Sequence, residues 1–411
     1  MKFFNTFFKN ILGLGSLNLV NLIIPIMLIP FLSRLMGEED YGYVMYITTV
    51  QLFIALFLDY SFNVTSVKEY VQESDVYKKR LILIETQFSR LILAIFAIIL
   101  LYFYTLLSNG SVKDLLYYVL PFVIGHFLIS PWYHQAESKL LLMGLILVLS
   151  RCLHLAIVLF FSDDSYAQSI VLSSQTYTYL LAGIVLNFKS FKSYSYNCLN
   201  VTYFINLLFC SLIRIKKSFL LFLADFSPNL YTNIPTILLA DMISKTSYFQ
   251  YNIAVKIIGV GLMIQTIVAK SLFPILCKND DAKQKIVFII NFFPTILFIM
   301  PMLYYSDEIY NIITGAQSEI FHVYIKIMSV GMIFGVLGNY LGQNYILIKT
   351  NGSGYSKIVI FSCLLTGAIG LFIVPYYKDL GAAFLLTIGR FFFFVGCVYF
   401  FINYKRQKID A

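Results

Sequence analysis

Charge is scarce in this chain. Asp, Glu, Lys and Arg make up 12% of its 411 residues, about half the ~25% typical of a soluble globular protein. Hydrophobic residues make up 59%, and the mean hydropathy is +0.79. A water-facing surface over most of the chain is thereby excluded, and dividing the length into soluble domains of ~150 residues loses its meaning. Long polar loops are equally scarce, which leaves no room for a sizeable soluble domain. The six cysteines, Cys152, Cys198, Cys210, Cys277, Cys363 and Cys397, show no CxxC spacing, so neither a disulfide framework nor a zinc site is indicated. No DxD-type acidic site stands in an outer loop, and no nucleophile, base and orienter come together. A membrane glycosyltransferase or polymerase would need such features. The start, MKFFNTFFKN, has a basic n-region but no small-residue cleavage site, so it reads as the entry to a first span.

What the chain does have is apolar runs near the ~20 residues that cross a bilayer as a helix. Twelve are present: 11–32, 43–62, 81–103, 115–133, 140–161, 166–188, 219–240, 249–270, 286–305, 322–347, 356–376 and 381–403. The expected fold is therefore an all-α polytopic membrane protein, with twelve transmembrane helices in two six-helix bundles around a central cavity. The bundles are residues 1–188 and 219–411, joined by a cytoplasmic linker, 189–218. An apolar run within the linker, 198–213, is flanked by Lys189 and Lys192 on one side and Arg214, Lys216 and Lys217 on the other. Both flanks prefer the cytoplasm, so the run is read as a helix lying on the inner face.

With the N-terminus inside, twenty of the thirty Lys and Arg residues fall on the cytoplasmic side. The outer loops carry acids such as Glu38, Glu39, Asp40, Asp163, Asp164, Asp307 and Glu308. Both termini are thus expected inside, and topology accounts for the net charge of +9 without invoking nucleic acid.

Six bases remain in or beside the spans: Arg90, Arg151, Lys256, Lys270, Lys326 and Arg390. A charge at the bilayer centre costs at least ~2.5–3.5 kcal/mol. Lys270 and Lys326 lie near span ends and can snorkel. Arg90, Arg151, Lys256 and Arg390 lie deeper, and only Asp59, Glu85 and Asp225 stand in or near spans to oppose them. Glu85 and Arg90 share a span at a spacing of five, which makes them poor partners on one helix. The excess of cations points to a wet, anion-accepting interior, since guanidinium matches a phosphate with bidentate hydrogen bonds.

The first span carries Pro25 and Pro30, and the seventh carries Pro228 and Pro235. Broken helices in corresponding positions of two halves suit a gated transporter. The polar residues of the sixth span, including Ser174, Gln175, Thr176 and Thr178, are expected to face the interior. Gly331, Gly335, Gly338 and Gly342 are expected to let helices pack closely.

Three stretches carry a resemblance. Pro30 to Gly42 resembles the P...R-x-x-G-x-x-x-Y-G signature of polysaccharide flippases, through Arg34, Gly37, Tyr41 and Gly42. Asp59-Tyr60-Ser61-Phe62-Asn63 resembles their DYGFN-like turn, with Ser where Gly is frequent. Pro131 to Lys139 resembles their W-x-x-Q-[GA]-x-E-K segment, with Glu137 one position early. The chain thus resembles Wzx-type O-antigen and repeat-unit flippases, in the superfamily that includes MATE multidrug exporters and the lipid II flippase. The resemblance implies an undecaprenyl-diphosphate-linked oligosaccharide as substrate, turned from the inner to the outer leaflet of the bacterial cytoplasmic membrane by alternating access. It implies membrane lipid as surroundings and a polysaccharide polymerase and chain-length regulator as partners, with no cofactor or metal; the chain itself is expected to be a monomer. Arg34, Arg90, Arg151, Lys256 and Arg390 are the candidate substrate-binding residues. Asp59, Glu85, Asp225, Pro25 and Pro235 are the candidates for ion coupling or gating. A cation-coupled drug exporter of the same architecture would instead show an acidic lumen.

Overall fold

In the computed structural model of the chain, the described residues are 2–107, 112–137, 139–161, 166–191, 201–276, 284–346 and 353–409, and they form helices and no strand. Side chains are described only between Ile29 and Asn403, and within that stretch those of Asp163, Asp164, Cys198, Lys270 and Cys277 lie outside the described set, as does that of Pro25 before it.

Helix α1 (Lys2–Asp59) holds the first two apolar runs and turns at Gly37, whose φ of 75° and ψ of 172° leave the helical region. Only glycine enters that region without strain. Helix α2 (Thr65–Gln72) is short and α3 (Val76–Leu107) is long. A π-helical stretch, Leu115–Val119, leads into α4 (Leu120–Ile129), and α5 (Pro131–Ala136) follows after the left-handed Ser130. Then come α6 (Leu140–Phe161), α7 (Ala167–Phe191), α8 (Val201–Phe226), α9 (Asn229–Leu239), α10 (Lys245–Leu276), α11 (Gln284–Tyr304), α12 (Ser306–Thr314), α13 (Phe321–Leu341) and α14 (Ser353–Ile409). Helix α14 holds the last two apolar runs and bends at Lys378, where φ is 47°.

Among the described residues, nine helices are long and apolar enough to cross a membrane. Their outward side chains agree with that reading. Phe160, Phe188 and Phe372 are largely exposed, an arrangement that invites aggregation in water and suits contact with lipid tails.

Helix α8 departs from expectation. Residues 201–226 form one uninterrupted helix, and the break before the next helix falls at Ser227–Pro228 rather than near residue 218. Lys216 and Lys217 are charged but do not stop a helix, whereas proline does.

The chain packs into two compact units, residues 46–226 and residues 1–45 with 227–411. In the first, α4 and α6 pack on α7, and α8 packs on α3. Tyr60 stacks on Phe222 with ring centres 4.1 Å apart, and Phe57 meets both Phe222 and Phe226. In the second, α13 packs on α10 and α14. The glycine stripe of α13 takes up the close contact. A Cβ on Gly331 would lie 2.9 Å from the Thr387 hydroxyl, and one on Gly338 would lie 2.6 Å from the ring of Phe393. This is the packing expected of small residues at four-residue spacing.

Candidate functional site

In the unit 46–226 the deepest cation is Arg90, whose residue exposure is 0%. Its Nε donates to the carbonyl of Leu58 at 3.2 Å. Its Nη1 donates to Gln87 Oε1, the Phe127 carbonyl and Ser130 Oγ at 3.0, 2.9 and 2.8 Å, and Nη2 donates to the His126 carbonyl at 3.0 Å. Asp59 Oδ1 stands 3.7 Å from Nη2. The guanidinium is thus spent on the ends of α1 and α4, where helices leave carbonyls without partners. Sequence reading offered Arg90 to substrate; in the structure it staples these helix ends, with every nitrogen engaged inside the protein.

Asp59 is the exposed end of a short relay, with 38% of its side-chain surface accessible. His126 Nε2 lies 3.0 Å from Asp59 Oδ1, and His126 Nδ1 lies 2.9 Å from the Tyr179 hydroxyl. His126 thus bridges the Asp59 carboxylate and the Tyr179 hydroxyl through its two ring nitrogens. Arg151, on α6, is partly exposed, and Tyr179 and His154 lie within its electrostatic range. It makes no hydrogen bond or ion pair with any described residue. His154 itself is a bonded interior residue, with Nδ1 2.8 Å from Ser174 Oγ.

Glu85 is not free to couple an ion. Arg214 of α8 donates from Nη2 to Glu85 at 2.7 Å and from Nη1 to Glu69 of α2 at 2.5 Å. The sequence places Arg214 among solvated linker bases, yet it is buried. Its two partners lie far from it in the chain, and nothing local marks the triad. Asp225 accepts from Ser61 Oγ at 2.5 Å. The polar face of the sixth run turns inward as expected: Gln175 donates to Gln51, and Gln51 and Thr176 both donate to the Tyr118 carbonyl.

The motif around Glu137 is scaffold too. Tyr70 donates to its carboxylate at 2.6 Å, and Lys139 reaches it at 3.1 Å. The bond from Tyr70, more than the charge of Lys139, holds that carboxyl below its ordinary range.

In the other unit, Arg34 too is bonded to the chain. Its Nη2 donates to the Ile312 carbonyl at 2.8 Å, capping the C-terminal end of α12, where a cation is favoured. Glu38 accepts from Tyr310 at 2.6 Å, and Ser33 bonds the Ile313 carbonyl at 3.2 Å. The R-x-x-G signature therefore builds a corner: Arg34 and Glu38 clamp α12, and Gly37 makes the turn between them. Pro25 lies within α1, whose backbone bends at Gly37 instead. Pro235 lies inside α9, which runs on through it.

Lys256 and Arg390 differ from these. The Lys256 ammonium sits 5.7 Å from the ring centre of Tyr41, a cation–π contact, and it forms no ion pair with a described residue. Arg390 is buried, and its Nη1 has no hydrogen-bond partner. The four deep bases thus separate: Arg90 is satisfied by the chain, while Arg151, Lys256 and Arg390 meet no carboxylate among the described residues. Sequence reading missed His126, Tyr179, Tyr231 and Tyr251 as their surroundings, although a histidine within a span is itself a signal.

A sequence profile described as polysaccharide biosynthesis protein matches residues 7–280. An O-antigen transporter of Escherichia coli (strain K12) is 24% identical over 180 residues, which is 43% of this chain and 43% of that protein. The capsular polysaccharide biosynthesis protein CapF of Staphylococcus aureus is 22% identical over 97% of this chain and 99% of its own length. Among solved structures, the lipid II flippase MurJ in an inward closed conformation superposes with a TM-score of 0.68 at 15% identity, covering 93% of this chain and 86% of MurJ. An inward-facing MATE multidrug transporter superposes at 0.58 and 12% identity, covering 96% and 95%. The fold is that of these transporters, and the motifs at Arg34, Asp59 and Trp132 agree with it. The chain belongs to the polysaccharide biosynthesis protein family.

Proposed function

We propose that this chain is a flippase, a transporter rather than an enzyme. It carries an undecaprenyl-diphosphate-linked O-antigen or capsule repeat unit from the inner to the outer leaflet of the bacterial cytoplasmic membrane. The proposed architecture has twelve crossings in two six-helix bundles, both termini in the cytoplasm, and alternating access as the mechanism. The observation that carries the reading is the set of three deep bases, Arg151, Lys256 and Arg390, with no carboxylate partner among the described residues. A diphosphate supplies the missing charge, and polar residues such as Gln175 suit a hydrated sugar chain, while a polyprenyl tail can stay in lipid. Asp59, partly exposed beside His126, is the group proposed for coupling or gating. Binding shifts the two access states only as far as the substrate's affinity for them differs, so net direction needs a gradient or removal of product outside. A drug exporter would attract cations, and a lumen whose unpaired groups are Arg and Lys repels them.

Expression in a strain lacking its own repeat-unit flippase tests this. Wild-type protein should restore surface polysaccharide. Arg151→Ala, Lys256→Ala and Arg390→Ala should each cut export by about tenfold or more, the loss of ~1.4 kcal/mol of anion affinity or beyond, with the protein still in the membrane and lipid-linked units retained on the inner leaflet. Arg151→Lys should restore part of the activity, since charge returns without the bidentate fork. Wild-type export from the triple Ala variant would overturn the reading.

A further inference from the structure

Arg390 stands out because no described carboxylate of its own unit pairs with it. The residue is 9% exposed and its Nη1 is sealed without a partner. Two phenols, Tyr231 of α9 and Tyr251 of α10, lie within electrostatic range of the guanidinium. On the α13 side, Gly331 and Gly335 bring bare backbone against it: a Cβ on Gly331 would lie 3.1 Å from Nη1, and one on Gly335 would lie 3.5 Å from Cδ. The apolar runs 249–270, 286–305, 322–347, 356–376 and 381–403 contain no Asp or Glu, and the one acid of the run 219–240, Asp225, belongs to the other unit. The unit's described acids stand at span ends, where Glu38 takes Tyr310 and Asp379 takes Tyr324.

A buried guanidinium left in this state is costly, because burial of a charge demands both hydrogen bonds and a counter-charge. A water from Nη1 to the Oε1 of Gln265, which is also sealed without a partner, would satisfy one donor and leave the charge uncompensated. Arg90 shows the contrast, since there the chain itself provides five acceptors and Asp59.

We propose that Arg390, with the hydroxyls of Tyr231 and Tyr251, forms an anion-binding site within the unit 227–411. The ligand is a halide or an oxyanion of phosphate type. Guanidinium offers such an anion parallel N–H donors, and the phenols add neutral ones without repelling it. Two sources share this chemistry: a dissolved anion, and the phosphate of a lipid-linked substrate. The second rests on the proposed function and the first does not.

The test uses the full-length chain in lipid nanodiscs, with thermal unfolding followed at constant ionic strength. Gluconate is replaced stepwise by chloride or by inorganic phosphate, and in a second arm undecaprenyl diphosphate is added in gluconate. An anion that binds the folded state raises the midpoint in proportion to its saturation. A rise with chloride or phosphate identifies a dissolved anion, and a rise only with the lipid diphosphate identifies the substrate headgroup. In either case Arg390→Gln should abolish the rise, Arg390→Lys should weaken the apparent affinity by about tenfold, and the exposed Lys326→Gln should keep the wild-type response. No rise in any arm for wild-type protein overturns the site, as does an equal rise in Arg390→Gln. If Arg390→Gln does not fold, the wild-type series and Arg390→Lys still decide. Failure of the flippase reading would show in the export assay and would leave the chloride and phosphate arm unchanged.

Discussion

A guanidinium carries five N–H donors, and the fate of those donors separates residues that look alike in sequence. Arg90 places all of its nitrogens on acceptors of the chain. Truncation would strand three buried carbonyls as well as Asp59, and removing one partner of a buried charged network typically costs ~3–5 kcal/mol. Arg90→Ala should therefore lower the thermal midpoint and the yield of folded protein in detergent, and should reduce export in proportion to folded protein. Arg90→Lys should recover little, since one ammonium cannot reach carbonyls on two helix ends. A variant with wild-type midpoint and lost export would return Arg90 to the substrate. Nothing in the linear order of residues distinguishes Arg90 from Arg390, because the partners that differ are mostly backbone carbonyls, which every residue possesses.

At the scale of elements, the motif Arg34, Gly37, Tyr41 and Gly42 is a recipe for a corner. Gly37 sits at a φ and ψ that only glycine adopts freely, and the space around its Cα is open, with no atom within 4 Å of an added Cβ. Gly37→Ala thus isolates backbone strain from steric clash. The expected loss is about 1–3 kcal/mol, read as a lower unfolding midpoint, with side chains elsewhere unmoved. An unchanged midpoint would mean that the corner is not a fixed part of the fold. The apolar runs were legible because hydropathy is a local property of about twenty residues. The ends of α8 were not. Its continuity through Lys216 and Lys217 depends on Arg214 reaching Glu69 and Glu85 on other helices, and on rings of Phe222 and Phe226 meeting Phe57. These are long-range contacts that charge and periodicity do not encode. Likewise Arg34 was legible as a motif and not as a cap, since the α12 end it closes lies 278 residues away.

At the scale of the molecule, one short contact constrains the topology. Arg34 follows the first apolar run, and Ile312 follows the ninth, yet Nη2 of the one donates to the carbonyl of the other at 2.8 Å. Tyr310 and Glu38 meet at the same place. The two connections must then share a membrane face, because the hydrocarbon core alone is ~30 Å thick. An even number of crossings between them is required, so residues 201–240, where α8 runs unbroken from Val201 to Phe226 and α9 follows from Asn229 to Leu239, contribute an odd number beside the other apolar runs. The parity fits a topology in which the acids Glu38, Glu39, Asp307 and Glu308 lie opposite the basic linker. Reporter fusions check it directly. Alkaline phosphatase, active only outside the cytoplasm, should be active when joined after Glu38 and after Gly315. Green fluorescent protein should be bright when joined within the linker before residue 200 and after Ile409. Phosphatase activity at the linker, or opposite outcomes at Glu38 and Gly315, would break the even topology on which the proposed inward-to-outward path depends.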